Sequence, residues 1–227
     1  MNKAIIYGAA GAAKIFYYDV KNYGDIEIAA FCVDRRYRIA DEFCGLPIVD
    51  FETVTDVYPI DEYKMFVLCG YSRMRERETM YLKAKAKGYT LGNYISPRAA
   101  VDTIPVMGDN NIIMANSYIG FNGKMGSNNI IRQNVYLGHE FTLGNHNIIS
   151  AGCVFGGNTT IKNLSFFGLG ATGKNGLIFG EEALVGMGSN VVRNVPDWAT
   201  VLGNPAKVIS THEEEGIIIP EEQEWRR

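Results

Sequence analysis

Leu137-Gly138-His139-Glu140-Phe141-Thr142 is one of sixteen six-residue blocks that follow each other without insertion over residues 101–196. Fifteen of the blocks open on a bulky apolar residue, from Val101 through Ile119, Leu137 and Phe155 to Val191, with Gly173 the exception. The second place is Gly in nine of them, among them Gly138, Gly156 and Gly186, and the fourth place is repeatedly Asn, at 110, 116, 122, 128, 134, 158 and 194. A period of six suits neither a helix of 3.6 residues per turn nor one alternating strand, so it describes short straight segments joined by regular corners. The chain should coil as a solenoid. First-position side chains then stack as an interior ladder, Gly and Asn tolerate the corner angles, and the small fifth-position residues (Ser117, Gly123, Cys153, Ala171, Ser189) also pack inward. Three blocks per coil give about five coils, about 4.8 Å apart if they pair as parallel strands.

This pattern resembles the hexapeptide-repeat acyltransferases, and the resemblance implies a left-handed parallel β-helix. The handedness comes from the resemblance alone.

The 227 residues, 47% hydrophobic and 21% charged, allow two modest domains, and a net charge of -3 argues against general nucleic-acid binding. The charge is uneven. Residues 71–98 carry seven Lys or Arg against two Glu, a solvated face or a help in holding a phosphorylated ligand, and residues 211–227 carry six Glu against two Arg. Four cysteines (32, 44, 69, 153) form no CxxC pair and are expected to be reduced. The apolar run at the start is too short for a signal peptide and no later stretch approaches a membrane span, so a cytoplasmic protein without membrane partner is expected.

Residues 1–96 read as an α/β unit. Ala4-Ile5-Ile6-Tyr7 is a buried strand, and Gly8-Ala9-Ala10-Gly11-Ala12-Ala13-Lys14 turns into a helix to about residue 22. This strand, glycine turn and helix is the order of a Rossmann-like phosphate-binding βα unit. A second strand over 26–33 ends at Asp34, a third over 64–70 ends at Gly70, and a helix spans 73–87. A nicotinamide site does not follow: the third glycine of its fingerprint is absent and the unit lacks room for the second half of that fold.

A GxxGxxK turn, an Asp closing the second strand, a Gly closing the third and then the hexapeptide helix resemble the bacterial sugar acetyltransferases of the PglD/NeuD type. That resemblance reaches to about Ile209. It implies a nucleotide-sugar-binding domain over 1–96, a β-helix acetyltransferase domain over 97–209 and an acidic tail over 210–227. It implies that Gly8, Ala10, Gly11, Lys14, Asp34 and Gly70 hold the nucleotide of a nucleotide-linked amino sugar. Related turns often read GxxGHxK, whereas position 12 here is Ala, so one side-chain contact is missing and the backbone turn is kept.

Three histidines occur, at 139, 146 and 212. His139 takes the third place of its block, in a row of largely polar or small residues, and should point outward next to a carboxylate. An amine attacks a thioester only after losing a proton, which needs a base near neutral pKa, and imidazole supplies it. By resemblance, Glu140 orients that base. Neighbours on a straight strand face opposite ways, so Glu140 reaches His139 only if the chain turns there. No Ser or Cys lies close in sequence, so direct attack on acetyl-coenzyme A is expected, with a backbone amide at Gly156-Gly157 a candidate for the oxyanion. Relatives carry a second His at the place of Ile148, and His146 is read as lining the substrate site or a subunit surface. Zinc is not expected, because three ligands are needed and His212 lies outside the repeat. The segment Gly203-Asn204-Pro205-Ala206-Lys207 resembles the GxPAK closure of these enzymes, which implies coenzyme A beside it with Lys207 on a phosphate, and the bare backbone of Gly157 and Gly186 is expected to serve the extended pantetheine arm. The resemblance also implies a homotrimer, with Tyr118, Phe121 and Tyr136 as interface candidates. The whole reads as an acetyl-CoA-dependent N-acetyltransferase for a UDP-linked amino sugar, in particular a 4-amino-4,6-dideoxy hexose, in surface glycan synthesis. Sugar O-acetylation and a non-catalytic nucleotide-sensing scaffold are the rivals.

Overall fold

The computed structural model describes residues 2–69 and 72–219. The first unit comprises β1 (Lys3–Tyr7), α1 (Gly11–Tyr23), β2 (Glu27–Val33), β3 (Glu42–Phe43), β4 (Leu46–Asp50), α2 (Val54–Val57), β5 (Lys64–Val67) and α3 (Met74–Ala86). Its sheet runs β3-β4-β2-β1-β5, parallel except for the β3–β4 hairpin, which the sequence reading missed. All of Ala4, Ile5, Ile6 and Tyr7 are buried, as a central parallel strand covered on both faces requires. The third strand of the reading stops at Val67, and Gly70 lies outside the described residues.

From Tyr94–Ile95 onward, two-residue strands recur every six residues, and each pairs in parallel with the strand eighteen residues away, as in Tyr118↔Tyr136 and Tyr136↔Val154. The three flat faces so formed hold six, five and eight strands. The third face starts at Tyr94 and ends in an antiparallel hairpin of Ala199–Gly203 with Ala206–Thr211. The solenoid therefore begins one strand before the periodic text and ends two strands after it.

First positions from Ile113 to Phe167 point inward with at most 5% exposure. Fifth positions are inside as well, and here the reading was incomplete. Besides the small residues, Asn111, Asn129 and Asn147 form a buried ladder, in which the amides of Asn129 and Asn147 donate to the Oδ1 one coil below (2.9 and 3.0 Å). The amides of Asn111 and Asn129 also donate to corner carbonyls of Gly126 and Gly144 (both 2.8 Å), which cancels the cost of burying them. Fourth positions hold the left-handed backbone: Asn110, Asn122, Asn134, Glu140 and His146 all have φ between 54° and 63°.

The third face is covered by the first unit. Its outward Ile112, Ile130 and Ile148 pack with Phe16, Tyr94 and Met74 in one apolar seam. At the edge of the seam α3 directs its cations onto the solenoid. Arg77, fully buried, donates from Nη2 to the Asn128 carbonyl (2.7 Å) and Oδ1 (2.8 Å), and Lys85 meets Asp109 at 2.5 Å. Arg77 and Lys85 of the basic stretch are thus not a free solvated face, because they fasten the two units together.

The acidic end differs from the tail expected over 210–227. Thr211 still belongs to the last strand, and residues 212–219 fold back onto α3, with Ile217 2% exposed. His212 is structural: its Nε2 faces the Glu182 carbonyl at 2.7 Å and its Nδ1 the Thr200 hydroxyl at 3.1 Å. Glu213, Glu214 and Glu215 are exposed, as read. All four cysteines are free thiols; Cys32 and Cys153 are buried and Cys44 and Cys69 half-buried. No helix among the described residues is long and apolar enough to cross a membrane.

Candidate active site

His139 sits on the corner that follows strand Tyr136–Leu137. The third position points outward, and its side chain is 39% exposed. The next residue, Glu140, has φ 56°, so the chain turns and the carboxylate folds back: Oε2 lies 3.1 Å from His139 Nδ1. A carboxylate only accepts, so Nδ1 carries the proton in the neutral ring and Nε2 keeps its lone pair.

The neighbouring coils hold the ring flat. Below it, Phe121 stacks at 5.1 Å between centroids and 11° between planes. Phe121, an interface candidate by sequence, forms the floor of the imidazole and keeps an exposed face. Above it lies Gly157, where a methyl group would fall 2.5 Å from Nε2 and 2.6 Å from Cε1. Gly157 is buried, and among the described residues its N–H donates to no acceptor, whereas Asn158 N–H is taken by the His139 carbonyl at 2.8 Å. A basic nitrogen and a spare amide donor thus share one ledge. That pairing suits a reaction in which a proton leaves a nucleophile while negative charge appears on an adjacent oxygen.

The larger cleft lies elsewhere, in a cavity of about 420 Å³ at the carboxyl ends of β1, β2 and β5. Gly8, Ala10 and Asp34 line it together with Tyr37, Phe43 and Arg77. It opens where successive connections leave β1 to opposite sides, the usual ligand crevice of an open parallel sheet. Gly8 has φ 125°, and a methyl group there would meet the Leu68 carbonyl oxygen at 2.5 Å, so both its conformation and its surroundings require glycine. Asp34 is 5% exposed and already engaged: the Tyr7 hydroxyl donates to Oδ1 at 2.5 Å and Lys83 reaches Oδ2 at 3.1 Å. Burial, and then this carboxylate, push the Tyr7 phenol well above its ordinary pKa. Cys69 lines the cleft too, with its thiol raised to about 12 by burial and hence un-ionised.

The remaining candidates are dispersed. Gly11 begins α1, whose cap residue Ala10 makes no side-chain hydrogen bond. Lys14 lines a second, shallower cleft between α1 and Gln133. His146 lies on a different corner from His139, buried under α3: it accepts at Nδ1 from Asn128 (2.9 Å), packs edge-on to Tyr81 and has its pKa lowered to about 4 by burial and then by Arg77. It lines neither cleft, and Ile148 is sealed in the seam. Gly186 and the exposed Lys207 lie near the hairpin, with Gly186 against Leu202 and Leu202 opposite Lys207. The sequence reading did not find Phe121 in this role or the cleft residues Tyr37 and Phe43. An aromatic eighteen residues before His139 was the available signal for the first.

No family model matches the chain, and no curated protein matches it in sequence. Solved structures do. The chain is similar to PerB of Caulobacter crescentus, crystallised with CoA and GDP-perosamine, at 25% identity and a TM-score of 0.83, over 92% of this chain and 97% of that one. It is similar in fold to the acetyltransferase domain of PglB from Neisseria gonorrhoeae, crystallised with acetyl coenzyme A (24% identity, TM-score 0.81, 92% and 99% covered). The same holds for WeeI of Acinetobacter baumannii (22%, TM-score 0.78, 91% and 100% covered). The chain is thus similar in fold, over nearly its whole length, to structures of the left-handed β-helix acetyltransferase type.

Proposed function

We propose that the chain is an acetyl-CoA-dependent N-acetyltransferase that acts on a nucleotide-linked amino sugar, with UDP as the nucleotide and a 4-amino-4,6-dideoxy hexose as the sugar. The observation that carries this reading is the ledge of His139, Glu140 and Gly157: an outward imidazole with its Nε2 lone pair available, a carboxylate on Nδ1 and a spare amide above the ring. PerB, similar over nearly the whole chain, supports CoA and a nucleotide-linked amino sugar as the ligands.

In this reading the Rossmann-like unit binds the nucleotide in the cleft at Gly8 and Ala10, with the diphosphate toward the amide at Gly11, where α1 begins; Lys14, which lines the other cleft, reaches it only by extending along the helix start. His139 Nε2 removes the proton from the sugar amine as its lone pair attacks the thioester carbonyl. Glu140 stabilises the imidazolium that results. Gly157 N–H donates to the oxygen that gains charge, and collapse of the tetrahedral adduct expels the CoA thiolate, which takes the proton back from His139. No acyl-enzyme forms.

The same reading asks for a homotrimer. His139 and Gly186 occupy different corners of one prism, after the faces that contain Tyr136 and Leu184 respectively, and His139 lines neither cleft of the single chain. A thioester that touches both Gly186 and Lys207 of one chain and His139 of the next would be walled on two sides. Release of free thiol from acetyl-CoA, followed with a panel of UDP-, GDP- and dTDP-linked sugars with and without a 4-amino group, tests the proposal. Turnover confined to amino sugars is expected. Turnover only with hydroxyl sugars would make the chain an O-acetyltransferase, and none with any sugar would leave a scaffold.

A further inference from the structure

Residues 211–219 make contacts that the repeat does not require. α3 starts at Met74, and the side chain of the preceding Arg73 caps nothing, so the first-turn N–H groups need partners from elsewhere. The end of the chain supplies one, as Met74 N–H donates to the Ile217 carbonyl (3.3 Å). Ile219 N–H donates to the Ser72 carbonyl (2.9 Å), and Arg73 and Ile218 form an antiparallel bridge between these contacts. The Arg75 guanidinium donates to the carbonyls of Glu213 (2.7 Å) and Glu214 (2.9 Å) and meets the buried Glu182 carboxylate at 2.9 Å, so the segment is tied to the solenoid as well. On the other side of this same helix start, Ser72, Glu76 and Arg77 line the 420 Å³ cleft.

We infer that residues 211–219 are a strap that sets the α3 wall of the nucleotide cleft, with Ile217 and Arg75 as positioning residues that never touch the ligand. The inference rests on the reading of that cleft as the nucleotide site. Ile217 belongs to the same apolar seam as Ile112, Ile130 and Ile148, whereas Arg75 holds the strap by polar contacts, so loss of the Arg75 contacts frees one wall and leaves the two units docked.

Titration of the full chain with UDP, GDP and acetyl-CoA tests this. In Ile217→Asp the nucleotide Kd should rise at least about tenfold while the acetyl-CoA Kd stays unchanged, and Ile217→Val should restore nucleotide affinity. Arg75→Gln, at a half-exposed side chain that leaves the apolar seam intact, should weaken nucleotide binding in the same selective way and covers the case in which Ile217→Asp fails to fold. An unchanged nucleotide Kd in folded Arg75→Gln and Ile217→Asp, with only the melting temperature lowered, overturns the strap. If the unaltered protein binds neither UDP nor GDP, the reading of the cleft fails first and the strap has no function to serve.

Discussion

Glu140 Oε2 lies 3.1 Å from Nδ1 of His139, the residue immediately before it, and it does so because Glu140 takes the left-handed corner of its coil at φ 56°. Asn fills that place in most neighbouring coils and relieves the strain with little else to do there. Glu accepts the same backbone and returns a charge to the ring. Removing the ring should therefore cost most and removing the charge less. His139→Ala is expected to lower kcat at least about a hundredfold, the usual scale for a general base, and Glu140→Gln roughly tenfold. Steady-state kinetics at saturating acetyl-CoA and sugar, on variants with unchanged circular dichroism, check both. Full turnover in folded His139→Ala would remove His139 from the mechanism.

Gly157 has a different kind of necessity from Gly8. Its φ is not left-handed, so alanine fits the backbone, and the nearest obstacle is the half-exposed imidazole at 2.5 Å. Gly157→Ala should tilt the ring off Phe121 and crowd the amide. We expect stability to change by less than about 1 kcal/mol and kcat to fall about ten- to hundredfold. Denaturant melts and kcat measured on the same preparation distinguish this from general damage.

At Gly8 a methyl group meets a backbone carbonyl that cannot step aside, at a φ of 125° that side chains avoid. Gly8→Ala should cost about 2–4 kcal/mol and abolish nucleotide binding. Chemical denaturation followed at the first unit would register it. A midpoint equal to that of the unaltered protein would contradict the geometry.

The solenoid was legible because its cause is periodic. Inward first and fifth positions and left-handed fourth positions repeat along the chain, so Ile119, Leu137 and Phe155 announce the same interior three coils running. The placement of Glu140 at a corner followed from the same frame. The seam between the units was not legible, because Ile112, Ile130 and Ile148 occupy outward positions that the frame assigns to solvent. Nothing local says what covers them. For the same reason the cations of α3 read as surface charge, whereas their partners Asn128, Asp109 and Glu182 lie 24 to 107 residues away. Tyr7 and Asp34 are likewise 27 residues apart in sequence, and only the sheet brings them together.

His146 gives a pH dependence with a definite sign. Its folded pKa of about 4 lies below the ordinary 6.5, with burial the larger cause and Arg77 the second, although Glu78 stands 3.6 Å from Nε2. Between pH 6.5 and 4 the unfolded chain therefore binds more protons at this site than the folded chain, and stability falls as pH drops through that window. The contribution reaches about 2–3 kcal/mol near pH 4. Asn already occupies equivalent corners and tolerates φ near 60°, so His146→Asn should keep the fold and flatten the profile between pH 6.5 and 4.5. Urea midpoints at several pH values decide it, and parallel profiles for the two proteins would show that His146 titrates normally.

The proposed trimer can be tested without a structure of it. If His139 of one chain works with Gly186 of the next, each active site is a hybrid of two subunits. In Gly186→Leu the side chain displaces Leu202, whose end is exposed and able to move, so the fold should survive while the pantetheine path is blocked. His139→Ala and Gly186→Leu homotrimers should both be nearly inactive. Co-folding equal amounts makes mixed trimers, in which a site is intact when an unaltered His139 happens to face an unaltered Gly186. Random assortment gives that arrangement at about a quarter of the sites, so about a quarter of the unaltered activity should return. Were both residues to serve a site within one chain, no assortment would bring the two intact halves together, and the mixture would stay as inactive as its parents.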